Sequence, residues 1–330
     1  MLMSFRPKLM FLQKALYKRG TIMKPILKHL LVIQQNNATD LLALSRAITL
    51  AEQHQSKLTI FKSFYRKLPH DKFYQAANQA KLTEFLKQQQ QLIQQQIANL
   101  SDKKLAIDIV FSWLEHEKLA IHRLSQARDI TLIIKQQQPR LSWLPSLTPW
   151  LEHYLINDIE LPVWLVKPNT GDGEKNILAC LNLEHQQTSN TAMNHEILNI
   201  GSQLNPQDTK PLHVLSCYCP DDISMSFPYD NEQGFKPLSN VAQRHNDLLQ
   251  QYLERHHLPV EQLHINEGLP DDVIPETALQ LHSRLAIIGN YHLHDASSLL
   301  LGNTAHYLSQ HTPCDVLIVK PQPLASISQF

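Results

Sequence analysis

Short runs of consecutive apolar residues alternate along this chain with longer segments whose apolar positions recur every three or four residues. LKHLLVI (27–33), KLTIFKSF (57–64), LAIDIVF (105–111), ITLIIK (130–135) and VWLVK (163–167) form one set of runs. NILACL (176–181), LHVLSCY (212–218), QLHIN (262–266), RLAIIG (284–289) and DVLIVK (315–320) form a second. Runs that stay apolar instead of alternating belong to strands buried on both faces, as in a parallel sheet covered by helices. The segments between them read as helices. TDLLALSRAITLAEQ (39–53) keeps leucine and alanine on one face. Residues 71–100 contain QQQQLIQQQ, yet Leu92, Ile93 and Ile97 keep a helical stripe, so the glutamines read as its solvent face.

The two sets resemble each other. LPVWLVKP (161–168) matches CDVLIVKP (314–321), TLIIK (131–135) matches LAIIG (285–289), and HLLVIQ (29–34) matches ILACLN (177–182). All three pairs are offset by close to half the chain, which indicates duplicated domains rather than a solenoid. The pattern predicts a basic extension over 1–23, a first domain over 24–168, a linker over 169–175 (within PNTGDGEK), a second domain over 176–322 and a tail over 323–330. Five strands per domain with right-handed crossovers predict α/β architecture: two tandem doubly wound, five-stranded parallel sheets of Rossmann or flavodoxin type, strand order 3-2-1-4-5. Ligands in such sheets bind where the winding reverses, at the carboxyl ends of strands 1 and 4. In the second half those ends are Asn182 and Gly289.

Composition narrows the function classes. The 30 basic and 30 acidic side chains balance, so no global field attracts nucleic acid. No apolar run approaches the roughly 20 residues needed to span a bilayer. The four cysteines, Cys180, Cys217, Cys219 and Cys314, form no CxxC pair, which fits a reduced, cytoplasmic setting. Cys217-Tyr218-Cys219 reads as the end of a buried strand. The first acid is Asp40, after Arg6, Lys8, Lys14, Lys18 and Arg19. That stretch reads as a start assigned upstream of Met23, the other reading being a basic membrane-surface segment.

EGLPDDVIPETA (267–278) and LLGNTAHYLSQHTPCDVLIVKP (300–321) carry a family resemblance. From about residue 24 to 322 the chain resembles the tandem universal stress proteins, in particular the E class. The resemblance implies induction under stress and roles in survival or motility. It also implies pairing of domains through the last strand of each, Val163–Lys167 with Val316–Lys320, so that one polypeptide is a pseudo-dimer. Further association of two chains is left open. Nucleotide-binding members carry Gly, two residues, Gly, nine residues, Gly, then Ser or Thr. Gly289 and Gly302 stand at the right separation, but His292 replaces the middle glycine and Asn303 takes the Ser/Thr place, with Thr304 next. The aspartate that helps hold the nucleoside is Asn182 here, and Gln34 in the first half. KQQQPRLSWLPSLTPW (135–150) has no glycine.

Each departure removes something physical. A Cβ at His292 obstructs the closest backbone approach, and Asn182 lacks the charge that strengthens a hydrogen bond to the nucleoside. Asn303 reads as an N-cap that leaves helix-start amides for an anion. The ligand cleft is therefore expected at Asn182, Gly268, Gly289, Asn290, His292, Gly302, Asn303 and Thr304, with the first half a structural partner. No cofactor is required; ATP or AMP is the ligand of the alternative, sensor reading. A second alternative is a carrier of an apolar ligand under RLSWLPSLTPW (140–150).

Catalysis and metal binding find little support. There is no GxSxG or Walker A sequence, and Asp271-Asp272 reads as a helix-dipole pair. His292-Leu-His294-Asp295 offers zinc-type ligands, but no cysteine is near it in sequence and no helix shows a paired HExxH spacing. The expectation is a cytoplasmic stress-response protein that binds rather than catalyses.

Overall fold

The computed structural model describes residues 26–35, 40–65, 76–138, 150–168, 176–183, 188–205, 212–218, 239–255, 262–290 and 301–321. The basic extension, the linker, the C-terminal tail, most of RLSWLPSLTPW, Cys219 and the His292–Asp295 group lie outside these residues.

The chain runs β1 (His29–Ile33), α1 (Leu41–His54), β2 (Lys57–Ser63), α2 (Ala76–Leu100), β3 (Ile107–Ser112), α3 (Glu117–Ala127), β4 (Leu132–Gln136), α4 (Trp150–Asn157) and β5 (Val163–Val166). It continues with β6 (Ile177–Leu181), α5 (Thr188–Leu204), β7 (His213–Tyr218), α6 (Ser239–Arg255), β8 (Gln262–Glu267), α7 (Pro270–Gln280), β9 (Leu285–Gly289), α8 (Leu301–His311) and β10 (Asp315–Val319). Every strand falls within a predicted apolar run or overshoots it by one residue. Proline limits two of these elements: Pro270 opens α7, where its missing N–H costs nothing, and Pro168 follows β5 closely.

All ten strands form one sheet, ordered β3-β2-β1-β4-β5-β10-β9-β6-β7-β8. Each half has the predicted 3-2-1-4-5 order. Pairings within a half are parallel. The halves meet through β5 and β10, antiparallel, with Trp164 opposite Leu317. The two expected sheets are therefore continuous, and their carboxyl edges face opposite ways.

Helices cover both faces. Ala43, Leu44, Ile48, Ile93, Ile197 and Leu249, from α1, α2, α5 and α6, pack with Leu30, Val32, Ala179 and Ile287 in one core. Ile121, Leu155, Ile274 and Leu308, from α3, α4, α7 and α8, pack with Ile33, Ile133, Leu178 and Ile288 in the other. Both cores run through the junction. Each fully buried Leu or Ile contributes about 1.5–3 kcal/mol, so burial rather than helix propensity holds the layers together.

Strand register corrects the internal alignment by one residue. Leu30 pairs with Leu132 as Ile177 pairs with Leu285, and all four side chains lie in the same core. Gln136 thus corresponds to Gly289, and Gln35, not Gln34, to Asn182. Matching by residue type missed this because a buried strand is apolar on both faces, so a one-residue slip leaves the pattern unchanged.

Polar contacts reinforce the junction. The buried Asp315 accepts hydrogen bonds from Trp164 Nε1 (3.1 Å) and the Lys167 amide (2.9 Å), and Arg46 Nε lies 3.3 Å from its carboxylate. Each half also grips the end of the other's fourth helix. Asn290 Nδ2 donates to the Ile156 carbonyl at 2.7 Å, and Lys320 Nζ donates to the same oxygen. Reciprocally, Gln137 Nε2 donates to Ser309 O at 2.9 Å, and Lys167 Nζ donates to Gln310 O at 3.2 Å and to Thr312 O. Lysines at helix carboxyl ends satisfy orphan carbonyls and suit the dipole.

Candidate functional site

The carboxyl ends of β6 and β9 are neighbours, since Ala179 pairs with Ile287 just upstream. Asn182 and Gly289 therefore meet at the switch point of the second half. Asn182 is held by α5: its amide donates to Asn194 Oδ1 at 3.1 Å, and Asn194 Nδ2 returns a bond to its carbonyl at 2.7 Å. Asn194, nearly two turns into α5, was not singled out in the sequence, where its burial leaves no local signal.

Asn290 follows β9, and its amide donates to Val319 O at 2.9 Å. Its side chain is turned into the junction, with the residue only 1% exposed. Nδ2 is committed to Ile156, while Oδ1 has no hydrogen-bond partner among the described residues. The side chain of Asn290 thus belongs to the junction between the halves.

Gly302 and Asn303 lie in the first turn of α8, which already begins at Leu301. The N-cap role expected of Asn303 is thereby corrected. Thr304, half-buried, follows in the same turn. His292 lies outside the described residues.

Gly268 sits at the same carboxyl edge, but after β8, with β7 between it and β6. Its amide donates to Tyr218 O at 2.9 Å. Its φ is +134°, and a Cβ would meet Val273 Cγ2 at 2.8 Å. Both facts require glycine there. Gly268→Ala is expected to cost about 1–2 kcal/mol, read as a lower urea midpoint at unchanged m value.

The equivalent edge of the first half is filled with side chains. Gln138 Nε2 donates to Gln35 Oε1 at 2.8 Å, and Gln35 Nε2 lies 3.2 Å from Glu117 Oε2. The Leu42 amide donates to Gln136 Oε1 at 3.2 Å. Beneath them Lys135 Nζ lies 2.9 Å from Glu152 Oε1, both side chains 2% exposed. Trp150, the described end of RLSWLPSLTPW, is 53% exposed and packs edge-on against His116 at 4.7 Å.

Several buried groups have displaced titrations. Burial raises the Glu196 carboxyl on α5 to about 7, and its Oε2 has no hydrogen-bond partner among the described residues. Burial lowers the Lys320 ammonium to about 7, opposed by the nearby Asp158 carboxylate. Burial also pushes the Cys180 thiol well up and that of Cys314 to about 12, so neither supplies a thiolate at neutral pH. Among the described residues, no helix is long and apolar enough to cross a membrane.

Comparison with known proteins agrees with this architecture. The model of the universal stress protein family matches residues 195–320. Universal stress protein E of Escherichia coli K12 is 25% identical over 313 residues, covering 89% of this chain and 94% of the relative. The Haemophilus influenzae homologue of that protein is 22% identical over 308 residues, 89% of this chain and 97% of its own. Among solved structures, a protein described as a putative universal stress protein from Pseudomonas aeruginosa superposes with a TM-score of 0.64 at 22% identity, covering 89% and 93% of the two chains. A universal stress protein from Archaeoglobus fulgidus superposes with a TM-score of 0.59 at 12% identity, covering 88% and 98%.

Proposed function

We propose that this chain, which carries a universal stress protein domain over residues 195–320 and is similar to the E-class proteins over 89% of its length, is a cytoplasmic stress-response protein that acts by binding in its second-half cleft. The reading rests on the contrast between the two carboxyl edges. At one, Gly289 ends β9 and Gly302 lies in the first turn of α8. At the other, Gln136 stands where Gly289 does, and side chains bridge β1, β4, α1 and α3.

In this reading the second half is the receptor and the first half its structural partner. The cleft comprises Asn182, Gly268, Gly289, Asn290, His292, Gly302, Asn303 and Thr304. Glycines there let backbone amides approach a ligand, and the start of α8 favours an anionic group. The spacing of Gly289 and Gly302 favours a nucleotide sensor as the second reading. The apolar-carrier reading is weaker, because the first-half edge is lined by glutamines and charged groups.

Native mass spectrometry of freshly purified protein tests the assignment. A retained small molecule that is lost on Gly302→Trp, with the fold intact by circular dichroism, supports the cleft. A nucleotide mass, with an ATP-induced rise in melting temperature, supports the sensor. A ligand retained unchanged by Gly302→Trp would move the site elsewhere.

A further inference from the structure

The first-half edge holds a charge arrangement that the second half lacks. Lys135, at the end of β4, donates to the Gln136 carbonyl and to Glu152 Oε1, both at 2.9 Å. The same carboxylate oxygen accepts the Gln138 amide at 3.1 Å. Glu152 lies in the first turn of α4, where unsatisfied amides and the helix dipole favour negative charge. A buried ammonium, a loop amide and a helix start thus converge on one carboxylate. The register places Ile288 and Ala305 at the corresponding positions, and both lie in the apolar core. The same fold is therefore built without either charge.

We propose that the first half contains an oxyanion seat that the chain fills itself, with Glu152 as the resident anion, and that this contact closes the seat to anions from solution. A buried ammonium must be paired. Glu152 supplies the partner within the chain, on a helix that cannot diffuse away. The Gln138–Gln35–Glu117 bridge lies across the rim. An external carboxylate or phosphate would have to displace a tethered competitor present at high effective concentration. The inference concerns the first half and stands apart from the reading of the second-half cleft.

Removing the resident anion tests it. In the full-length protein, Glu152→Ala leaves Lys135 and the Gln138 amide facing a small void. Sodium formate is expected to raise the melting temperature of this variant by about 3 °C or more over sodium chloride at equal ionic strength. The parent should show no such difference, nor should the Lys135→Met/Glu152→Ala double variant. Inorganic phosphate in place of formate reads the size of the seat. A cooperatively unfolding Glu152→Ala protein that responds to neither anion overturns the proposal, as does a response that survives Lys135→Met. If Glu152→Ala does not fold in chloride, refolding into formate is the readout: recovery supports the seat, and failure to recover counts against it.

Discussion

A protein carrying Lys135→Ile alone is expected to lose about 3–5 kcal/mol of stability, whereas Lys135→Ile with Glu152→Ala should recover most of that loss. The single change leaves a carboxylate 2% exposed without its ammonium. The double change copies the residues that the second half carries at the same places, Ile288 and Ala305. Exchange of a buried ion pair for well-packed apolar groups is often neutral, because the desolvation cost goes with the attraction. Recovery should be incomplete, since the Gln138 amide also loses its acceptor. Urea titrations of the parent, both single variants and the double variant close the cycle. A double variant no more stable than the less stable single one would show that the pair does not act as a unit.

Stability should fall as pH rises from about 4.5 to about 7, and Glu196→Gln should abolish that fall. The Glu196 carboxyl titrates near 7 when folded and near 4.5 when exposed. Between these values the folded state holds a proton that the unfolded state has released. Its advantage is complete below the lower value and gone above the upper one, a difference of roughly 3 kcal/mol. Lys320 acts in the opposite sense above neutrality: its folded value of about 7 lies below the ordinary 10.5, so stability rises with pH through that window. The two slopes meet near pH 7. Comparing Glu196→Gln with the parent cancels the lysine contribution. Urea midpoints at intervals from pH 4.5 to 8 should converge at the acid end and diverge at the alkaline end. Parallel curves would exclude Glu196 as the titrating group.

The sheet was legible in the sequence because its strands are unbroken apolar runs bounded by polar or turn residues. RLAIIG and DVLIVK read directly as β9 and β10, and the shared Lys-Pro ending of both halves marked the strands that meet. Only the phase of the repeat was hidden: Gln34 and Gln35 are the same residue type, and strand register separates them. At the second-half carboxyl edge, the backbone was legible only where glycines mark it. Glycine reports a backbone requirement, and at Gly268 the positive φ bears this out. Side-chain commitments were opaque. Lys135 ends an apolar run and reads as a strand terminus, and nothing local says that its ammonium turns inward to a helix 17 residues on. Asn290 sits beside Gly289 and reads as a ligand contact, yet its amide serves a carbonyl 134 residues away. Such long-range pairings leave no periodic trace.

Asp315 accepts from Trp164 and Lys167 and is ion-paired with Arg46, while the place that corresponds to it in the first half is Pro162. In a homodimer every interface substitution is made twice, once on each side of the two-fold axis. A carboxylate there would appear twice, once at each end of the paired strands, and each copy would need its own set of donors. Covalent fusion frees the two sides from that constraint, so one copy can specialise as acceptor and the other as donor. An interface of this kind can drift away from self-recognition, and a polypeptide cut between its halves should reassemble as a heterodimer in preference to either homodimer.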